Sequence, residues 1–183
     1  MKIEKKYELV KGKVEEIFQI LEIPKDENSE ETPHRIAKMW AKEVFSSLFA
    51  NREEFMEDMK TFPAPKDTTG NFISVKDIPF TSMCAHHWLP FIGKVSVTYL
   101  PNEKVIGLSK IPRIVKFCSR KPQLQENLTE EIGKMVIEAV NPKHVRVKIY
   151  DTIHTCVLAR GAESEANTET VWEWWNRETE SKG

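Results

Sequence analysis

The 183-residue chain carries 27 lysines and arginines against 28 aspartates and glutamates, for a formal net charge of −1, and it is 40% hydrophobic and 30% charged. This is enough apolar material for one domain with a helical extension, and the near-neutral balance argues against a dedicated nucleic-acid surface. No run approaches the ~20 apolar residues of a membrane span, the charged start Met1-Lys2-Ile3-Glu4-Lys5-Lys6 lacks the apolar stretch of a secretory signal, and three cysteines, Cys84, Cys118 and Cys156, do not make a disulfide framework. The expectation is a cytoplasmic protein with reduced thiols and neither nucleic-acid nor membrane partners.

In chain order, Val10, Val14, Ile17, Phe18 and Leu21 fall at helical spacing and predict an amphipathic helix over 3–21. Thr32-Pro33 reads as an N-cap followed by proline at the first helical position, opening a helix that runs to about Phe49. The charged stretch 51–67 reads as a connection. Strands follow at 72–82 and 94–100, the second alternating polar and apolar side chains as a half-buried strand does. Helices are expected over 109–119 and 128–140, the latter ended by Asn141-Pro142. A strand at 144–150 is expected to form a hairpin across Asp151 with 152–159, before a tail carrying Trp172, Trp174 and Trp175.

Strand, strand, helix, helix, strand, strand is an α+β order, an antiparallel sheet with two helices on one face and helices preceding it. Three regions are expected: an N-terminal helical region over 1–67, a catalytic domain over 68–165 and a C-terminal tail over 166–183. So small a sheet leaves long open edges, which are expected to pair with other subunits.

The chemistry gathers in two distant segments. Cys84-Ala85-His86-His87 follows a strand, and His154-Thr155-Cys156 lies far along the chain, where alternation puts His154 and Cys156 on one face. Cysteine alone is often a small core hydrophobe. Two thiols beside several imidazoles, in a chain with only five histidines, favour a metal. Thiolate–imidazole mixtures suit zinc better than iron. Three protein ligands with an open position are the mark of catalytic zinc, and the histidines left over suit proton transfer. Gly107-Leu108-Ser109-Lys110-Ile111-Pro112-Arg113 is not a Walker motif, yet it places two cations in the first turn of a helix, where anions bind. Solvated cations beside a capping serine explain it equally well. In Gln123-Leu124-Gln125-Glu126, an amide beside a carboxylate could read a guanine edge, or merely start a helix.

Together these segments resemble GTP cyclohydrolase I, a zinc enzyme of the tunnelling-fold superfamily. The resemblance runs from about Glu31 to Gly161 through Glu31-Thr32-Pro33-His34-Arg35-Ile36-Ala37-Lys38-Met39, Cys84-Ala85-His86-His87, Val105-Ile106-Gly107-Leu108-Ser109-Lys110, Arg120-Lys121-Pro122-Gln123-Leu124-Gln125-Glu126 and His154-Thr155-Cys156-Val157-Leu158-Ala159-Arg160-Gly161. It implies opening of the guanine imidazole ring of GTP by zinc-bound water, release of formate and rearrangement to 7,8-dihydroneopterin triphosphate. It implies Zn2+ on Cys84, His87 and Cys156, and proton transfer by His86 at N7 and by His154 in later steps at the ribose. Glu126 would anchor guanine with Gln125 beside it, and Ser109 would contact the ribose. Lys110, Arg113, Arg160, Arg35 and Lys38 would hold the triphosphate. It further implies strands joined between subunits into a barrel, in a homodecamer of two stacked pentamers with active sites at subunit interfaces. Two departures stand out. Ala85 occupies a position where the family usually has glutamate, and a tryptophan-rich tail replaces much of a threonine-rich strand.

Overall fold

Residues 3–65 and 70–177 are described by the structure, a computed structural model in which the chain divides into two units, Met1–Ala50 and Asn51–Gly183. In the first unit, α1 (Ile3–Ile20) and α2 (Thr32–Met39) are linked by the Tyr7 hydroxyl bonding His34 Nδ1. The sequence predicts one helix from Pro33 to Phe49. Instead α2 widens into a π-helical turn, Trp40–Val44, then tightens into a 3-10 turn, Ser46–Leu48. The widened turn brings the Trp40 and Phe45 rings to 6.3 Å between centroids. Thr32 is already helical, Glu31 holds the cap position, and Pro33 is tolerated because first-turn N–H groups have no helical acceptor.

The second unit opens where the sequence suggests only a connection. Asn51 accepts hydrogen bonds from the Glu53 and Glu54 N–H groups and so starts α3 (Arg52–Glu57), an N-cap hidden in a charged run. Short β1 (Thr61–Pro63) pairs antiparallel with β4 (Lys104–Ile106). The main sheet has the order β5-β2-β3-β6-β7, from β2 (Ile73–Cys84), β3 (Pro90–Leu100), β5 (Pro122–Gln123), β6 (His144–His154) and β7 (Asn167–Trp175). Only β5 runs parallel to its neighbour, β2.

One face of the sheet is covered by α4 (Lys110–Ser119) and α5 (Gln125–Val140). Ile111, Ile114, Leu128, Ile132 and Val136 of the helices share one core with Phe91, Val95, Val97, Tyr99, Val147 and Ile149 of the strands, all without exposed surface. Alternation leaves Ile92, Ile153 and Val171 exposed on the strands. The architecture is α+β, as the element order predicts. Among the described residues no helix is long and apolar enough to cross a membrane.

The expected final hairpin is not formed. β6 continues through Asp151, which takes a left-handed φ of 49° and absorbs a bulge instead of turning the chain. Asp151 accepts a bond from Lys94 Nζ at 3.0 Å, and the facing residue is Gly93, where a Cβ would lie 2.5 Å from Thr152 Oγ1. Residues 155–158 form the short helix α6 (Thr155–Leu158), and the strand paired with β6 is the tail itself, β7.

Candidate active site

Four pieces of chain meet at one end of the sheet. The first is the β2–β3 connection. Trp88 takes φ 53° and its N–H donates to the Cys84 carbonyl at 2.9 Å, while the Cys84 N–H donates to Leu89 O at 2.8 Å. This tight turn puts His86 and His87 outside the last residue of β2. The second piece is β5, whose Gln123 carbonyl accepts the Ala85 N–H at 3.0 Å. The Ala85 side chain is exposed, and the anchor of this turn is its backbone. The third is the start of α5, with Gln125 and Glu126. The fourth is the end of β6 with α6, where the Thr155 hydroxyl donates to Pro90 O at 2.7 Å and ties the helical turn to β3.

These pieces line a cleft of about 450 Å³ that includes Cys84, His86, His87, Gln125, Glu126, His154 and Cys156. Donor atoms of Cys84, His87 and Cys156 all lie within 4.8 Å of one another, and no other such group of three occurs among the described residues. Strand alternation is not what aligns Cys156, because β6 ends at His154 and Cys156 sits one residue into α6. Cys118 is excluded. It is fully buried between α4 and α5, 3.3 Å from Met135 Sδ, and burial pushes its thiol well above the ordinary range.

Both histidines of the turn place Nδ1 3.9 Å from Cys84 Sγ, close to the roughly 3.5–3.8 Å between donors around tetrahedral zinc. Burial raises the Cys156 thiol, and Cys84 raises it further, first by hydrogen bonding and then by the repulsion of two ionised sulfurs. A divalent cation is what such a donor pair fits, since it deprotonates coordinating thiols. The Arg160 guanidinium, which can only donate, lies 3.0 Å from His87 Nε2.

His154 is half-buried and stacks on Phe91, with ring centroids 4.8 Å apart and planes within 6°. Burial pulls its pKa below the usual imidazole range, opposed by the Glu126 charge. Its Nε2 lies 2.8 Å from Gln125 Oε1. Thr168, Glu169 and Thr170 of β7 also line the cleft. No motif in the sequence marks these three residues individually, although Thr168-Glu169-Thr170-Val171 alternates as strand residues do.

Ser109, Lys110 and Arg113 are not among the cleft's lining residues. Ser109 precedes α4 and makes no side-chain capping bond, while Lys110 and Arg113 both donate to Asp58 Oδ2, at 2.7 and 3.2 Å. The Lys110 contact, then the charges of Lys110 and Arg113, hold the Asp58 carboxyl below its usual range. Arg35 and Lys38 are exposed on α2 of the first unit.

Fold and site define an α+β protein whose cleft brings two thiols and an imidazole together beside two further imidazoles, the donor class used in metal-assisted hydrolysis. A family model described as GTP cyclohydrolase I matches residues 10–181, and the chain belongs to that family. It is 40% identical over 165 residues to GTP cyclohydrolase 1 of Citrobacter koseri, covering 89% of this chain and 72% of that protein. The same identity and coverage hold for GTP cyclohydrolase 1 of Escherichia coli O1:K1 / APEC. The bifunctional protein FolKE of Lactococcus lactis is 44% identical over 148 residues, and the chain spans 41% of that longer relative. Among solved structures, the apo form of archaeosine synthase QueF-Like aligns at a TM-score of 0.47 and 22% identity, over 56% of this chain and 91% of that one.

Proposed function

We propose that the chain is a GTP cyclohydrolase I, opening the imidazole ring of GTP with water, releasing formate and yielding 7,8-dihydroneopterin triphosphate. The observation behind this reading is the meeting of Cys84, His87 and Cys156 with His86, His154 and Glu126 in one cleft of a chain of this family. Cys84, His87 and Cys156 would hold zinc. Bound there, the ion would supply the acidity that makes water a nucleophile at neutral pH.

The other roles belong to side chains of this chain. Glu126, at the positive end of α5, accepts from the N1–H and 2-amino groups of guanine. His86, beside Cys84 and not part of the three-donor group, protonates N7 as the ring opens. His154 exchanges protons in the later steps at the ribose. Arg160, already beside His87, reaches toward the triphosphate.

Ser109, Lys110 and Arg113 serve the ribose and triphosphate, contributed to the cleft by a neighbouring copy, with Arg35 and Lys38 among the phosphate-binding cations. This agrees with their absence from the cleft's own lining. The outer edge of β7 has no partner strand among the described residues, which suits the joining of tunnelling-fold sheets into a barrel and a decamer of two stacked pentamers.

Zinc-loaded protein incubated with GTP should give a fluorescent pterin after oxidation. No pterin from protein with bound zinc would overturn the reading.

A further inference from the structure

We propose that the Gln125 side chain positions His154 instead of reading the substrate, holding the imidazole hydrogen on Nε2 and leaving Nδ1 as the ring nitrogen without hydrogen. The word substrate rests on the cyclohydrolase reading; the tautomer does not.

Counting hydrogens decides which end of the amide faces which neighbour. On one side there are three close contacts. Thr129 Oγ1 lies 2.7 Å from the Gln125 backbone carbonyl, Thr129 Oγ1 lies 2.6 Å from Thr170 Oγ1, and Thr170 Oγ1 lies 3.2 Å from the Gln125 amide. Each contact needs one hydrogen. The two hydroxyls supply two: Thr129 donates to the carbonyl, the usual back-bond of a helical threonine, and Thr170 donates to Thr129. The third must come from the amide, so its NH₂ faces Thr170. A reversed amide would leave two oxygens in contact with no hydrogen between them.

The amide oxygen therefore faces the other way, 2.8 Å from His154 Nε2 and 2.7 Å from Thr168 Oγ1. A carbonyl oxygen only accepts, so Nε2 carries hydrogen. Gln125 is 4% exposed and Thr129 1%, which leaves water little chance to stand in for either partner. Stacking on Phe91 fixes the plane of the ring. The amide's oxygen is taken by His154 and Thr168, and one of its two N–H groups by Thr170.

The test has two arms. In resting protein labelled with nitrogen-15 at histidine, above the ordinary imidazole pKa, His154 is identified by the signals lost in His154→Gln. A protonated Nε2 with a bare Nδ1 is expected, and loss of that preference in Gln125→Leu and in the near-isosteric Thr170→Val. The opposite tautomer in the unsubstituted protein would overturn the proposal. With GTP, Gln125→Leu should lose roughly 10²-fold in kcat, the scale of a lost general acid–base, with KM nearly unchanged. A raised KM with kcat intact would mean that the amide reads the substrate and would equally overturn it. Thr170→Val, with zinc content and thermal midpoint checked, gives the same split should Gln125→Leu fold poorly. Failure of the unsubstituted protein to turn over GTP would count against the cyclohydrolase reading alone, since the nitrogen spectrum needs no substrate.

Discussion

His86 and His87 are adjacent in sequence and equally far from Cys84 Sγ, each with Nδ1 at 3.9 Å, so distance to one sulfur does not separate a ligand from an acid. Cys156 separates them, because only His87 joins the group whose donors all lie within 4.8 Å. The expected result for His86→Gln is a kcat lowered by roughly 10²–10⁴ with bound zinc unchanged; for His87→Gln it is loss of the metal. Zinc content and turnover measured on both variants check this, and metal lost from His86→Gln would mean that the two roles are exchanged. Two thiols and several imidazoles were legible in the sequence as metal-ligand candidates because such groups are few and their chemistry is distinctive, while the choice of His87 over His86 came only with the family resemblance. The relation of Gln125 to His154 was not, because it depends on Thr168 and Thr170, which reach Gln125 only once the tail has paired with β6.

At the scale of elements, the long strands and helices were legible because hydrophobic period and turn residues agree. What was missed has local causes. Asp151 is as suited to a bulge as to a turn, and the choice depends on Gly93 and Lys94 across the sheet. The tail strand was obscured by its tryptophans, yet Trp172 packs inward against the core. It lies over α5 at Gly133, where a Cβ would come 2.2 Å from its ring. Gly133→Ala should therefore destabilise the fold by ~1–3 kcal/mol of overpacking, outweighing the ~1 kcal/mol that alanine gains over glycine in a helix. A urea titration checks this, and a more stable variant would mean that Trp172 moves aside freely. Because β7 also holds Thr168 and Thr170, the same substitution should lower turnover in protein that is still folded.

For the molecule as a whole, the cleft holds the proposed metal ligands and Glu126, the carboxylate proposed for guanine, while Lys110 and Arg113 stand apart on Asp58. Protein carrying His86→Gln should therefore regain activity when mixed and reassembled with protein carrying Lys110→Ala, since some mixed interfaces would have a complete set. Activity no greater than the sum of the two variants would place Lys110 in the same site as its own His86. Chelation should abolish turnover and lower the thermal midpoint, with zinc restoring both. Ring opening by this enzyme should remove one carbon, C8, from the purine. GTP labelled with carbon-13 at C8, incubated with the zinc-loaded protein, should release the label as formate in step with pterin formation. Label retained in unchanged GTP, or in a purine product, would contradict it.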